Sequence, residues 1–204
     1  ISIWIMEHSS GKPGQLVTSI YCFAAFSSCF MSEHAVAVIL FPVIHEIAQS
    51  LNLKRDNSVF GKSMYFAMAW GCIIGGAMTV LGGGRVLLGV EMLEKATAGQ
   101  QTLGILQYTK LSFPLVILLF AGGWVALKVL FPSDIQNIDR ARKALKQKAV
   151  VMGKLTFQEK GIALVMGGTL FCWFVYGDQL GVANIAIISI VLLFVLNLIT
   201  WKMV

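Results

Sequence analysis

Ser28-Cys29-Phe30-Met31-Ser32-Glu33-His34-Ala35 is a short polar stretch set between two apolar runs, 16 to 29 and 35 to 51. As helices rising about 1.5 Å per residue, each run extends roughly 22–25 Å. A hydrocarbon core of about 30 Å needs about 20 apolar residues to cross it. Two arms of this length predict a re-entrant helical hairpin over 16–51, with its tip near 28–35, that enters and leaves a membrane on one side. An acid and an imidazole then lie at depth, where polar backbone is tolerated only inside protein or beside a water-filled cavity.

Composition places the chain in a membrane before any motif is read. Of its 204 residues 57% are hydrophobic and only 13% charged, with a mean hydropathy of +0.77; a soluble domain carries about 25% charged residues. The fold class expected is an all-α polytopic membrane protein. The net charge of +6 comes mostly from loops between apolar segments, as cytoplasmic loops require. No basic-aromatic surface is present for nucleic acid. Cys22, Cys29, Cys72 and Cys172 sit inside apolar runs without metal-like or disulfide-like spacing, and read as small hydrophobes. The chain begins at Ile1 and stops shortly after Trp201-Lys202-Met203, which reads as a segment of a longer polytopic protein.

Outward from the hairpin, residues 1–15 read as the end of a preceding helix and a loop. Pro42 lies in the second arm and predicts a kink. Residues 63–93 form a long apolar stretch interrupted by Gly82-Gly83-Gly84-Arg85. Each glycine costs a helix about 1 kcal/mol, so the run predicts a discontinuous transmembrane helix with a loop near 79–85. Small-residue helix packing also uses glycine, but explains neither the run of three nor the adjacent arginine. A spanning helix is expected over 111–131. Residues 133–158 set Arg140, Arg142, Lys143, Lys146, Lys148 and Lys154 around an apolar stripe at Ile138, Ala141, Leu145 and Ala149. That pattern predicts a basic amphipathic interfacial helix, with a solvated connector as the plainer alternative. Membrane helices over 161–176 and 182–201 complete the chain, the last opening a second repeat. With the hairpin returning to its side of entry, the basic stretches 52–62 and 133–160 both fall in the cytoplasm.

Enzyme motifs are missing. His45-Glu46 is followed by Ile47-Ala48-Gln49, so no HExxH is formed, and Gly82-Gly83-Gly84-Arg85 lacks the Gly-Lys-Ser/Thr ending of a P-loop. There is no Gly-x-Ser-x-Gly elbow. His34 and His45 would stand roughly 16 Å apart on one helix with no third ligand; no metal site is expected, and no cofactor beyond a coupling ion. What remains is a hairpin and a broken helix with polar tips at depth, the way secondary transporters build a midplane site from half-helix termini. An arginine at depth costs from about 2.5 to over 10 kcal/mol. Arg85 must therefore pair with Glu33, meet an anionic substrate or line water.

Ser32-Glu33-His34-Ala35-Val36-Ala37, followed by Leu40-Phe41-Pro42, resembles the Ser-Asn-Thr hairpin signature of the divalent anion/sodium symporter family, the dicarboxylate and sulfate carriers of the ion transporter superfamily. Gly75-Gly76-Ala77-Met78-Thr79-Val80-Leu81-Gly82 is similar to the Gly-Gly-x-x-Thr-Pro-x-Gly of that family's first broken helix. The likeness runs over nearly the whole chain as an N-terminal repeat portion, and implies part of an inverted-repeat secondary transporter that is a homodimer at full length, in a bacterial-type inner (plasma) membrane. It implies substrate and ion contacts at Ser32, an ion-ligating carbonyl at Ser28 and another at Gly82. Glu33 stands at the asparagine position and His34 at the threonine position. Gly83-Gly84-Arg85-Val86 replaces the usual Thr-Pro-Pro-Asn. The candidate substrate residues are Ser32, Glu33, His34, Thr79, Gly83 and Arg85; the candidate ion residues are Ser28, Ser32, Glu33 and Gly82.

These substitutions admit a physical reading. Glu33 adds a charge or protonatable group at depth, and Arg85 neutralises it with a fixed cation in place of a bound one; the coupling ion is then Na+, H+ or none. A purely structural Glu33–Arg85 pair closing the tip is the plain alternative. The function expected is secondary transport of a small dicarboxylate- or sulfate-like anion by alternating access. Two rivals stay open: a cation/proton antiporter in which Glu33 binds the cation, and a non-transporting membrane subunit.

Overall fold

A computed structural model of the chain describes residues 12–53, 58–135, 138 and 156–199. The described residues form seven α-helices and no strand. These are α1 (Pro13–Ser28), α2 (Glu33–Ser50), α3 (Val59–Gly76), α4 (Gly84–Ala96), α5 (Ile105–Leu130), α6 (Phe157–Leu180) and α7 (Val182–Val195). Residues 1–11, the loop cations Lys54 and Arg55, positions 139–155 of the expected interfacial helix and residues 200–204 lie outside the described residues.

Several boundaries fall away from the expected ones. The second hairpin arm starts at Glu33 rather than Ala35, with Ser32 as its N-cap residue. α2 continues through Pro42. The break between α3 and α4 is 77–83 rather than 79–85. The spanning helix begins at Ile105 rather than 111. α6 continues past the expected end at 176 and stops at Gly181, whose φ of +79° suits a residue without a side chain. α7 ends at Val195, short of the expected 201. Asn197 there takes the left-handed conformation at φ +52°, Asn197 N donates to Phe194 O at 3.0 Å, and Leu198 N to Leu193 O at 3.0 Å. This is a Schellman stop. The same Leu-Asn-Leu sequence ends α2, where Asn52 N donates to Gln49 O and Leu53 N to Ala48 O.

α1, α2 and α3 share one core. Leu16, Ile20, Tyr21 and Ala24 of α1 are fully buried or nearly so, as are Met64 and Ala67 of α3. α2 adds Val36, Leu40, Ile44 and Ile47, spaced to line one helical face. α1 and α3 approach closely because α3 carries Gly71 and Gly75 four residues apart. A methyl group on Gly71 would lie 2.7 Å from Tyr21 O and 2.8 Å from Ala24 Cβ; one on Gly75 would run into the Ala25 backbone. The small-residue packing considered for this stretch therefore operates here, seven residues and more before the glycine run that opens α4.

Outside this core the helices stay apolar. α2 exposes Val38 and Phe41, and α5 exposes Leu111, Leu115 and Leu118, the last at 69%. A face with that composition belongs against lipid or further protein. α5 has 26 residues, and among the described residues it is the one helix long and apolar enough to cross a membrane. α4 has no buried residue at all.

Two caps fix helix starts. Ser58 Oγ accepts from Gly61 N at 3.0 Å, while Asp134, beyond the end of α5, accepts from Val59 N at 3.0 Å and Phe60 N at 2.9 Å. Asp134→Ala should cost about 1 kcal/mol, the usual worth of an N-cap, read as a lower unfolding temperature of the full-length protein in detergent. An unchanged melting curve would mean these bonds add nothing. α6 opens with a capping box between Thr156 and Glu159, ahead of the apolar part of that helix. The Thr156 amide and hydroxyl donate to the Glu159 carboxylate and hold its pKa below the ordinary glutamate range. A depressed carboxyl pKa stabilises the folded helix end above the unfolded value, and the benefit disappears as pH falls through the folded one. Exchange protection of the first α6 amides, corrected for intrinsic rate, should drop across that acidic window and become flat in Glu159→Gln. A pH-independent wild type would contradict this.

Candidate functional site

Four helix ends meet at one place. The C-terminal ends of α1 and α3 and the N-terminal ends of α2 and α4 all belong to the hairpin tip or to the break at 77–83. C-terminal ends present carbonyls and partial negative charge, and N-terminal ends present amides and partial positive charge. Such a junction has places for both a cation and an anion.

The tip is tied to the break by direct bonds. Glu33 N donates to Gly82 O at 3.1 Å. Thr79 Oγ1 donates to Cys29 O at 2.5 Å and accepts from Leu81 N at 3.2 Å. Ser28, fully buried, donates through Oγ to Cys72 O at 2.8 Å. Thr79 is itself buried, so its hydroxyl is committed to joining the two segments rather than facing a ligand. Thr79→Val should leave a buried carbonyl and amide without their partner, at about 1–3 kcal/mol, while Thr79→Ser should restore the bonds. Equal stability of the two variants would show that the bonds carry no weight.

Oxygen atoms crowd the floor of this junction. A methyl group on Gly76 would lie 3.2 Å from Gly82 O, 3.2 Å from Ser28 Oγ and 3.3 Å from Glu33 Oε2. One on Gly82 would lie 2.5 Å from both Gly76 O and Ser28 O. Two glycines therefore let carbonyls, a hydroxyl and a carboxylate gather in a space that any side chain would fill. Hard oxygen donors of this kind suit a small cation.

The charged groups lie on top. Arg85 Nη2 donates to Glu33 Oε1 at 2.6 Å and to Oε2 at 2.5 Å. The Glu33 side chain is 12% exposed and that of Arg85 68%. The His34 side chain is 87% exposed, with Nδ1 3.9 Å from Glu33 Oε1. Ser32 is exposed at the tip, and its side chain does not cap α2. Gly83 is buried as the N-cap residue of α4. With Gly76, Tyr108 and Arg85 it lines a cleft of about 470 Å³ between α3, α4 and the start of α5. The structure thus brings Ser28, Glu33, Thr79, Gly82, Gly83 and Arg85 together, with Ser32 and His34 at the rim.

Two residues of the junction escape the sequence reading. Tyr108 Oη donates to Ala77 O at 3.1 Å and Ser112 Oγ to Met78 O at 2.8 Å, so α5 satisfies carbonyls freed by the break. Their signal is two hydroxyls four residues apart in the first turns of α5, hence on one face.

Comparison with known proteins gives consistent results. The family model described as the sodium:sulfate symporter transmembrane region matches residues 17–204. The sodium-dependent dicarboxylate transporter SdcS of Staphylococcus saprophyticus is 20% identical in an alignment of 181 residues that covers 85% of this chain and 34% of the relative. SdcS of Staphylococcus aureus aligns with the same identity and coverage. The chain spans about a third of the length of these relatives.

Proposed function

Since the chain belongs to the sodium:sulfate symporter family, we propose that it acts in secondary active transport of a small dicarboxylate- or sulfate-like anion, by alternating access in a bacterial-type inner membrane. The observation that supports this reading is the meeting of tip and break, where the Glu33–Arg85 pair sits over the oxygens gathered around Gly76. The oxygens of Ser28, Gly82 and Glu33 serve the coupling cation, Na+ or H+. Arg85, Gly83 and the rim residues Ser32 and His34 serve the anion, and Thr79 positions the two segments. Inverted-repeat carriers form their site between two halves, so the working unit is the full-length protein, assembled as a homodimer with the basic stretches 52–62 and 133–160 in the cytoplasm.

Uptake of radiolabelled succinate and of sulfate by the full-length protein in liposomes, with and without a sodium gradient, tests the reading. Anion accumulation that follows the cation gradient supports it. A second reading has its own observation: Glu33 is a largely enclosed carboxylate beside other oxygens, as a cation/proton antiporter requires. Cation flux against a proton gradient without any anion uptake would favour that reading and overturn the first.

A further inference from the structure

Arg85 holds Glu33 with one nitrogen on both carboxylate oxygens, 2.6 and 2.5 Å away. One of those oxygens, Oε2, is also the one that faces Ser28 Oγ and Gly82 O around Gly76. The guanidinium and any cation resting on those oxygens therefore seek the same carboxylate. Arg85 has somewhere else to go: its side chain is 68% exposed and lines the cleft with Gly83 and Tyr108. Glu33 does not, being 12% exposed and fixed through its amide to Gly82.

Resting on the transport reading above, we infer that Arg85 is a tethered competitor of the coupling cation for Glu33, and that the exchange of partners makes the anion site. A cation settling on Glu33 with Ser28 and Gly82 releases the guanidinium into the cleft, where it takes the anion. Charge bookkeeping forces the link. An anion that removed Arg85 from Glu33 without a replacement cation would leave an enclosed carboxylate bare, the costly outcome for a charge away from water. With a cation in place, every charged group keeps a partner throughout. The coupling is reciprocal, so the anion strengthens cation binding by the same factor that the cation strengthens anion binding.

The exchange makes predictions of opposite sign for two neighbouring residues, which neither a purely structural pair nor a simple ligand role does. Equilibrium binding of radioactive sodium and of succinate or sulfate to the purified full-length protein, at one fixed pH, reads both partners without requiring transport. Arg85→Gln should bind sodium at least tenfold more tightly in the absence of anion, because the competitor is gone, and bind the anion at least tenfold more weakly. Glu33→Gln should bind the anion without sodium about as tightly as the wild type does at saturating sodium, and sodium should no longer change it. Sodium binding that is unchanged or weaker in Arg85→Gln overturns the exchange. So does loss of anion binding in a monodisperse Glu33→Gln under both conditions. If Glu33→Gln does not fold, the sodium affinity of Arg85→Gln decides alone. Wild-type protein that binds neither anion counts against the proposed function; wild-type anion binding with either overturning result counts against the exchange only.

Discussion

Gly75→Val in the full-length protein is expected to abolish stable folding, while Gly89→Ala in the same glycine-rich region leaves the protein folded or slightly stabilised. At Gly75 even a methyl group would run into the Ala25 backbone of α1. An obstacle made of main chain cannot rotate aside as a side-chain tip can. The cost should reach or pass the upper end of the roughly 1–3 kcal/mol typical of overpacking. Gly89, in α4, has open space where its side chain would be, and alanine there gains up to about 1 kcal/mol of helix propensity. Monodispersity on size exclusion and the melting temperature in detergent separate the two variants. A well-folded Gly75→Val would show that α1 and α3 do not pack through this contact.

Arg85→Gln should reduce anion uptake by roughly 10- to 150-fold without unfolding the protein, the loss expected for one hydrogen bond to a charged group worth about 1.5–3 kcal/mol. Arg85→Lys should fall between, since lysine keeps the charge but lacks the planar fork that matches two oxygens. Most of the Arg85 side chain is exposed, so its replacement disturbs little packing. Glutamine at wild-type rates would remove Arg85 from the anion site.

The features legible in the sequence are those with strong local causes. The apolar excess, the low share of charged residues and the long apolar runs led to an all-α membrane protein, and the family followed from the serine tip and the Gly-Gly-x-x-Thr run. An arginine placed among apolar residues demands a partner, and Glu33 is the acid that the tip supplies. Other features depend on contacts across long stretches of chain. Gly71 and Gly75 look like Gly82 to Gly84 in composition, yet the first pair lets α1 and α3 pack side by side and the second group lies in the break and opens α4; only the positions of the neighbouring segments distinguish them. Tyr108 and Ser112 were hidden because hydroxyls among Gln107, Thr109 and Lys110 read as an ordinary polar helix start until the freed carbonyls of Ala77 and Met78 are placed beside them. The end of α7 was written in plain terms at Leu196-Asn197-Leu198. The apolar run hid it, because hydropathy carries no record of which residue tolerates a positive φ.

The carboxylate of Asp134 that caps α3 has a consequence for how the protein is made. The two amides it receives belong to Val59 and Phe60, up to 75 positions earlier in the chain. A ribosome releases residues in order, so α3 emerges, with its local Ser58 cap to Gly61, well before Asp134 can accept from Val59 and Phe60. Those two bonds wait until α5 has been synthesised and has brought Asp134 back beside the start of α3. The Asp134 contact therefore ties the start of α3 to the end of α5 only once both have been made.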